Sequence, residues 1–405
     1  MFVDVQVQQL KKSGEELCGD SVGTFRGEHE TVLVLADGLG SGVKANILST
    51  LTQKIALTMF KEHLPVAEVV ETIAATLPTC KVRDLAYSTF TIARIADDGT
   101  TELVEFDNPE TFVFRDGILE PLEREERQVG KFTLRQASCQ LAEGDYLVAV
   151  SDGMTHAGIG GREPLGWRWE PIAQHLAAFI SQDPEAEEVA ENLIDAASNL
   201  YRGRVGDDAS VAVAKCRPFR EVVLAVGPPA NPQDDRRMAE RLMAGKGRKI
   251  VCGGTTAKLI AREIDQPLIV DLPSASRELP PAGKIPGIDL VTEGVITIMH
   301  SIDALDAVRL YRPRVNVHSL SYMYGKQDER TLRQPAAPVD ENPAEMLARY
   351  LRLADKVTIL LGCALNPAHQ NPDLPVHLGL KFHLVDHLAQ KLQARGKEVE
   401  VVRYA

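Results

Sequence analysis

TVLVLADGLGSGVKA, residues 31–45, begins with a run of β-prone and apolar residues and then turns at an Asp-Gly pair. This pattern predicts a buried strand whose end exposes the carboxylate of Asp37. Glycines at 38, 40 and 42 allow the backbone to bend sharply, and the apolar spacing from Val43 onward predicts an amphipathic helix. Asp-Gly pairs are also common turn formers. Taken alone, the stretch therefore leaves Asp37 as either a turn residue or a site residue.

Composition limits the class of protein. The 405 residues suggest two or three domains, and 44% hydrophobic with 25% charged residues is typical of a globular chain. A net charge of −12 argues against general nucleic-acid binding, which needs a cationic face. The charge fits acidic sites that hold divalent cations, and it equally fits solubility alone.

The cysteines and the first residues indicate the compartment. The six cysteines lie far apart without a C-x-x-C pair, which argues against a zinc site or a disulfide framework. Residues 1–16 lack the apolar core of a signal peptide, and no run approaches the roughly 18 apolar residues of a membrane span. We therefore expect a cytoplasmic protein without a membrane segment.

Two strands are predicted before the central stretch. FVDVQVQ at residues 2–8 alternates as a half-exposed strand does, and a second short strand follows Asp20. Pairing of this second strand with residues 31–36, through a turn at residues 27–30, would bring Asp20 and Asp37 together. Residues 42–60 and 65–77 are predicted to form helices.

From residue 86 the apolar period becomes two. The pattern predicts an antiparallel meander of strands within YSTFTIARI, TTELVEF, ETFVFRDGILE and FTLRQASCQL. GDYLVAVSDGMTHAG then repeats the central pattern, with a buried strand followed by Asp152-Gly153. After predicted helices at 170–180 and 184–201, Asp207 and Asp208 precede a last strand.

Acidic residues thus mark four predicted strand ends: Asp20, Asp37, Asp152 and Asp207. Mg²⁺ and Mn²⁺ favour carboxylate and water oxygens, and a two-metal site shares carboxylates from several strand ends. A single aspartate of this kind is more often a turn residue, but four together predict a metal site. His156 lies near Asp152 in sequence and is interpreted as a solvated loop histidine.

The motifs LADGLGSGVKA, LVAVSDGMTHAG and GDDASVAVAK, in this order, resemble the metal-dependent serine/threonine protein phosphatases of type 2C, the PPM family. The nearest branch is that of the stage II sporulation phosphatase E (SpoIIE-like) and the stand-alone stressosome phosphatases. The resemblance covers about residues 1–217. It implies an αββα sandwich, two antiparallel sheets flanked by helices, with two Mn²⁺ or Mg²⁺ ions between the sheet edges.

The resemblance also implies roles for individual residues. Asp37 matches the bridging metal ligand, Gly38 the backbone carbonyl ligand, Asp152 and Asp207 the ligands of the first ion, and Asp20 the ligand of the second. The implied reaction is hydrolysis of a phosphate monoester by a metal-activated water, without a covalent phosphoenzyme.

The chain departs from the family pattern at a few positions. Cys18 stands where the branch commonly has Gly, and Ser41 stands where it commonly has His; neither replaced side chain is an expected ligand. The phosphate-binding Arg of eukaryotic members has no clear match. Lys11, Lys12 and Arg26 are candidates, although each is also readily interpreted as a surface charge.

Beyond Arg217 the sequence predicts a second domain, residues 219–405. Predicted strands and helices alternate, which favours a three-layer α/β domain with a parallel or mixed sheet. The polar, proline-rich residues 309–341 are interpreted as a long surface excursion. We identify no family for this half.

CGGTTAKL at residues 252–259 is the feature of this half most suggestive of a ligand. Gly253, Gly254, Thr255 and Thr256 could cradle a small anion at a helix start, or form only a tight strand-to-helix turn capped by Thr. Glu293-Gly294 ends another predicted strand and could line the same crevice.

The sequence as a whole predicts a two-domain cytoplasmic phosphatase. Residues 1–217 would dephosphorylate phosphoserine or phosphothreonine in a protein partner, and residues 219–405 would regulate that activity, bind a ligand or dock a partner. Two alternatives stay open: hydrolysis of a small phosphoester bound by the second domain, and a non-catalytic scaffold that binds phosphoproteins.

Overall fold

A computed structural model describes residues 1–76, 79–80, 85–86, 88–130, 132–160, 163–270, 283–306, 342–364 and 377–405. The chain divides into two compact units, Met1–Pro218 and Phe219–Ala405. Among the residues described, no helix combines the length and apolar character that a membrane span requires.

The described residues of the first unit form short strands and five helices. Its described strands are β1 (Phe2–Leu10), β2 (Asp20–Arg26), β3 (Glu30–Gly38), β4 (Thr79–Cys80), β5 (Leu85–Ala86), β6 (Ser88–Ala96), β7 (Thr100–Phe106), β8 (Phe112–Arg115), β9 (Ile118–Glu120), β10 (Glu125–Val129), β11 (Phe132–Gln140), β12 (Tyr146–Val150) and β13 (Ala209–Arg217). Its described helices are α1 (Gly42–Lys61), α2 (Val66–Thr76), α3 (Asp152–Thr155), α4 (Trp169–Ile180) and α5 (Ala186–Tyr201).

Two antiparallel sheets form the centre of this unit. One has the order β10-β11-β7-β6-β3-β2 and the other the order β1-β13-β12-β8-β9. Helices α1 and α2 pack on the outer face of the first sheet, and α4 and α5 pack on the outer face of the second. The expected αββα sandwich is therefore confirmed.

The position of strand β3 in the sandwich explains its continuous apolar run. Side chains alternate across a strand, so Val32 and Val34 pack against the helices while Leu33 packs between the sheets against residues such as Leu147 and Ala212. Because both faces of β3 are covered, Val32, Leu33 and Val34 are almost completely buried.

The predicted meander is wrong in one respect. The chain leaves the first sheet after β7, places β8 and β9 in the second sheet, and returns with β10 and β11. The crossing begins at Asp107, whose φ of 52° lies in the left-handed region. The alternation identified most of these strands, but a period of two carries no information about which sheet a strand joins. Strand β10 was not predicted.

The described part of the second unit contains one seven-stranded sheet. Its described strands are β14 (Glu221–Val226), β15 (Arg248–Cys252), β16 (Ile269–Val270), β17 (Gly283–Lys284), β18 (Leu290–Thr292), β19 (Lys356–Gly362) and β20 (Glu398–Tyr404). A 3-10 turn at Pro232–Asp234 precedes the first of its described helices, which are α6 (Asp235–Ala244), α7 (Gly254–Glu263), α8 (Val295–Asp306), α9 (Pro343–Leu353) and α10 (His377–Ala394).

This sheet has the order β16-β17-β18-β15-β14-β19-β20. The strands from β18 to β20 in that order are parallel, whereas β16 and β17 form an antiparallel edge. Val222 and Leu224 face helices α8, α9 and α10, while Val223 and Ala225 face α6 and α7. The described part of this unit has three layers with a mixed sheet. Helix α8 was not predicted, and the predicted excursion at 309–341 lies outside the described residues.

Candidate metal centre

Strands β2 and β3 bring the first two predicted ligands together. Asp20 and Asp37 are direct cross-strand partners in the antiparallel register. The amide of Gly38 donates a hydrogen bond to the carbonyl of Gly19 at 3.3 Å, which closes the end of this strand pair. The carboxylates of Asp20 and Asp37 are therefore delivered at one edge of the first sheet.

The second sheet supplies the other two predicted ligands. Strands β12 and β13 pair up to Val150 and Val211, and beyond that point the Ser151 amide donates to the Ser210 carbonyl at 3.0 Å. Asp152 follows Ser151 directly, and Asp207 lies shortly before β13. The pairing of these two strands thus places both carboxylates at the same sheet edge.

Ser210 connects the two sheets at the site. Its hydroxyl donates a hydrogen bond of 2.6 Å to Oδ2 of Asp20, and its amide donates to the hydroxyl of Ser151 at 2.8 Å. Tyr201 adds support from α5, since its hydroxyl donates to the carbonyl of Gly153 at 2.7 Å. These supporting residues, Ser151, Ser210 and Tyr201, were not predicted from the sequence as site residues.

Two glycines are required by close backbone approach. A Cβ at Gly38 would lie 2.1 Å from the carbonyl oxygen of Ala45 in α1, and a Cβ at Gly153 would lie 2.0 Å from that of Asp208. Both distances are far shorter than any real contact of a Cβ with a backbone atom. The glycine of each Asp-Gly pair therefore lets a neighbouring element come close to the carboxylate before it.

The carboxylates repel one another in a partly buried setting. Burial, and then the charges of Asp208 and Asp152, raise the pKa of Asp20 to about 6. Burial, and then the charges of Asp20 and Asp152, raise the pKa of Asp37 further. Burial and the charge of Asp152 also raise the pKa of Asp207. A site that disfavours the ionised form of several carboxylates is one that a cation would stabilise.

Hydrogen bonding at the site is incomplete. Oδ1 of Asp20 and Oδ2 of Asp208 are buried and have no hydrogen-bond partner in the described part of the chain, although Oδ1 of Asp208 accepts from the amide of Lys12 at 2.9 Å. Buried carboxylate oxygens without partners cost free energy unless something binds them. An oxygen-rich set of this kind fits Mg²⁺ or Mn²⁺.

His156, which was interpreted from the sequence as a solvated loop residue, belongs to a cluster with metal-binding spacing. One ligand atom each from Asp152, His156 and Asp207 lies within 4.8 Å of the others, and Nδ1 of His156 is 3.7 Å from Oδ2 of Asp152. The interpretation of His156 as a solvated loop residue is therefore incomplete, because its half-exposed ring borders the site. The signal was its i, i+4 spacing from Asp152, which places both on one side of a helical turn.

The three candidate phosphate-binding cations lie in different surroundings. Nζ of Lys12 lies 3.5 Å from Oδ1 of Asp207. Lys11 instead donates to the carbonyl of Glu16. Arg26 stacks on the ring of Phe2, 3.8 Å from its centroid, at the opposite end of β2 from Asp20. Of the three, Lys12 is the cation at the carboxylate cluster.

The two departures from the family pattern lie beside the start of α1. The hydroxyl of Ser41 donates to Oε1 of Glu15 at 2.7 Å, and the side chain of Asn46 donates to the carbonyl of Cys18 at 2.8 Å. Burial raises the pKa of the Cys18 thiol to about 12, so it stays protonated at neutral pH and is a poor metal ligand.

Comparison with known proteins agrees with these observations. The family model of stage II sporulation protein E (SpoIIE) matches residues 27–217. The N-terminal unit is accordingly a SpoIIE-like domain of the PPM type, as its motifs predicted. No curated protein shows significant similarity to the chain.

Several solved structures align with the chain. The PP2C phosphatase domain of SpoIIE from Bacillus subtilis, with a fragment of its regulatory domain, is 20% identical with a TM-score of 0.45; the match covers 53% of this chain and 63%, less than two thirds, of that one. The RsbU and RsbW domains of Rv1364c from Mycobacterium tuberculosis are 18% identical with a TM-score of 0.46, over 59% of this chain and 67% of that one. RsbX in complex with magnesium is 16% identical with a TM-score of 0.38, over 53% of this chain and 94% of that one.

Proposed function

We propose that the N-terminal unit is a metal-dependent phosphatase that hydrolyses phosphoserine or phosphothreonine in proteins. In this proposal two Mn²⁺ or Mg²⁺ ions are held by the carboxylates of Asp20, Asp37, Asp152 and Asp207 and the carbonyl of Gly38. The observation that carries the proposal is the convergence of these carboxylates at the edges of both sheets, with a buried oxygen of Asp20 lacking any partner among the described residues.

Bound divalent ions would supply Lewis-acid chemistry, lowering the pKa of an attacking water and offsetting charge on phosphoryl oxygens. Hydrogen bonds within the chain would hold the ligand carboxylates in position. Ser210 orients Asp20 through its 2.6 Å hydrogen bond, and the amide of Asp208 donates to Oδ1 of Asp207 at 3.1 Å. Lys12, beside Asp207, is placed to attract the negative phosphate.

The openness of the site supports a protein substrate. The side chains of Asp152 and Asp207 are 43% and 39% exposed, although they belong to the candidate ligand set. A phosphorylated side chain on the surface of another protein can reach such a site directly. We therefore place a phosphoprotein ahead of a small phosphoester as the substrate class.

Phosphate release from a phosphoserine peptide and from p-nitrophenyl phosphate, each with Mn²⁺, Mg²⁺ or EDTA, tests the proposal. We expect metal-dependent release from the peptide, and loss of at least about a hundredfold in Asp37→Asn and Asp152→Asn. Asp195→Asn, an exposed carboxylate on α5, is the matched control and should retain full activity.

Three results would contradict parts of this proposal. Turnover of the small phosphoester alone would favour the alternative substrate class. Binding of the phosphopeptide without turnover in any metal would favour a scaffold. Full activity of both aspartate variants in EDTA would refute the metal centre.

The role of the second unit is also a proposal. We assign residues 219–405 a regulatory or ligand-binding role, because this unit has a doubly covered α/β sheet of the kind that binds ligands beyond its strand ends. The cytoplasmic location stays a prediction from the sequence.

A further inference from the structure

Two helices of the second unit, α7 and α8, begin at the ends of neighbouring strands, on opposite faces of the sheet. Strands β15 and β18 are parallel neighbours, and each leads directly into a helix, α7 from β15 and α8 shortly after β18. The amide of Gly253 donates to the carbonyl of Thr292 at 2.9 Å, and a Cβ placed on Gly294 would lie 3.5 Å from the Cα of Gly253. The two glycines that precede the helices are therefore in contact.

The two turns share the same short pattern, Gly-x-x-Thr. Gly253 is the N-cap of α7, with Thr256 three residues later, and Gly294 precedes α8, with Thr297 three residues later. The φ of Gly253 is 116°, a conformation that side-chain-bearing residues rarely adopt. The amides of Ala257 and Ile298 donate back to the carbonyls of Gly253 and Gly294, so the amides in between are free of helical acceptors.

A second observation at the turns points to a ligand. Thr256 and Thr297 are completely buried, and their hydroxyls have no hydrogen-bond partner among the described residues. The hydroxyl of Thr256 lies 3.0 Å from the position a Cβ on Gly253 would take, so it points toward the glycine turn. Unsatisfied buried hydroxyls are rare because each costs free energy.

The surroundings leave room for a ligand. Gly254 is exposed, and a Cβ built on it would meet no atom within 4 Å. The first amides of both helices carry the positive ends of the helix dipoles. Glu293 is the one acidic residue within 252–257 and 292–297, and it is half-buried.

We propose that the paired turns Gly253–Thr256 and Gly294–Thr297 bind the phosphate group of a small molecule. Amides from two helix starts whose glycines are in contact, together with the Thr256 hydroxyl that points toward the Gly253 turn, supply several donors at these turns. Several donors suit the acceptor oxygens of a phosphate better than the two of a carboxylate. The sequence predicted the turn at Gly253–Thr256 with Glu293-Gly294 at the same crevice, and this site adds the helix that begins after Gly294. It does not depend on the phosphatase activity.

Isothermal titration of the full chain in EDTA tests the site, because metal-dependent phosphate binding by the first unit is then removed. The probes are inorganic phosphate, adenosine 5′-monophosphate and, as a control, adenosine. We expect saturable binding of both phosphates and none of adenosine. Tighter binding of the nucleotide would identify a phosphate ester as the ligand, and equal binding would identify the phosphate group alone.

Two sets of variants test whether phosphate binds at the paired turns. Gly254→Asp has space for its side chain and puts a carboxylate at the positive helix end, so it should fold normally and bind phosphate at least about tenfold more weakly. The matched control is Gln393→Glu, which adds one negative charge at the exposed C-terminal end of α10. It should bind as the parent does.

Thr256→Val combined with Thr297→Val removes the two buried hydroxyls at nearly constant volume. We expect an unchanged or higher melting temperature without phosphate, since unsatisfied groups are lost, and affinity lower by about tenfold or more. Glu293→Gln should strengthen binding. Absence of phosphate binding at 10 mM, about the weakest useful affinity, or equal affinity in Gly254→Asp and the parent, would overturn the proposal.

Discussion

Asp20 and Asp37 face each other across β2 and β3, two carboxylates in direct cross-strand register at the edge of a sheet. Like charges placed opposite each other destabilise a sheet, and burial raises the pKa of both side chains. Repulsion between the two carboxylates therefore destabilises the strand pair, and a bound divalent cation would remove this destabilisation. This relationship gives the metal hypothesis consequences for stability as well as for activity.

Asp37→Asn should make the metal-free protein as stable as the parent or more stable, because it removes one member of the repelling group. The gain should be on the order of 1–3 kcal/mol at pH 8. Stabilisation by Mn²⁺ should be much smaller in the variant. Thermal unfolding with EDTA and with Mn²⁺ measures both effects, and Asp195→Asn serves as the control. A variant less stable than the parent in EDTA but equally stabilised by Mn²⁺ would contradict the assignment.

The stability of the metal-free first unit should fall as pH rises from 6 to 8. The pKa of Asp20 is raised to about 6 and that of Asp37 is raised further, so the folded state binds more protons than the unfolded state in this range. Stability present at low pH is then lost as pH increases, by roughly 1–3 kcal/mol. Both tryptophans of the chain, Trp167 and Trp169, lie in this unit. Urea unfolding followed by their fluorescence in EDTA therefore reports on it selectively.

The control for this pH dependence is Asp37→Asn, which should flatten the profile between pH 6 and 8. A parent protein whose stability is constant or increases over this range would show that the carboxylates ionise without cost in the folded state.

His156→Gln should weaken Mn²⁺ binding more than Mg²⁺ binding. The ring nitrogen of His156 lies in one cluster with Asp152 and Asp207, and imidazole is a better ligand for transition metals than for Mg²⁺, which prefers oxygen. We expect the ratio of the two dissociation constants to change by roughly tenfold. Titration calorimetry measures the ratio, and electron paramagnetic resonance of Mn²⁺ tests for a coupled nitrogen. His29→Gln, at an exposed turn, is the control. An equal loss for both metals would show that His156 acts only through general electrostatics.

Gly38→Ala should destabilise the first unit by on the order of 3 kcal/mol. Its Cβ would lie 2.1 Å from the backbone oxygen of Ala45, so β3 and α1 must separate. Gly40→Ala is the matched comparison, because its Cβ would meet no atom within 4 Å. Its cost comes only from the φ of 107° and should be about 1 kcal/mol. Unfolding by urea compares the two. Equal losses would show that α1 moves freely relative to the strand.

The local chemistry of the site could be predicted from the sequence. Apolar runs that end in Asp37 and Asp152 predicted strands with a carboxylate at their ends, and the structure has β3 and β12 at those positions. Period and turn chemistry are properties of neighbouring residues, so they are visible in a single sequence. The convergence of Asp20 with Asp37 was also predictable, because a short turn joins their strands.

Other features required the tertiary structure. The Ser210–Asp20 hydrogen bond joins residues from different sheets, and the change of sheet after β7 is not encoded in any local period. Helix α8 was missed although Ile298, Ile302 and Leu305 have helical spacing and are buried. That Glu293-Gly294 could line the same crevice as the Gly253 turn was predicted from the sequence, whereas the helix that begins after Gly294 was not.

The sequence by itself determined which aspartates stand at strand ends and could serve as metal ligands, because alternation, helical spacing and turn residues act over a few positions. Only the tertiary structure decided that His156 and Lys12 border the carboxylates, and that two Gly-x-x-Thr turns meet. Those arrangements bring together residues from different elements. Packing of whole sheets and helices sets them, and that packing depends on the complementary shapes of distant residues rather than on the pattern of near ones.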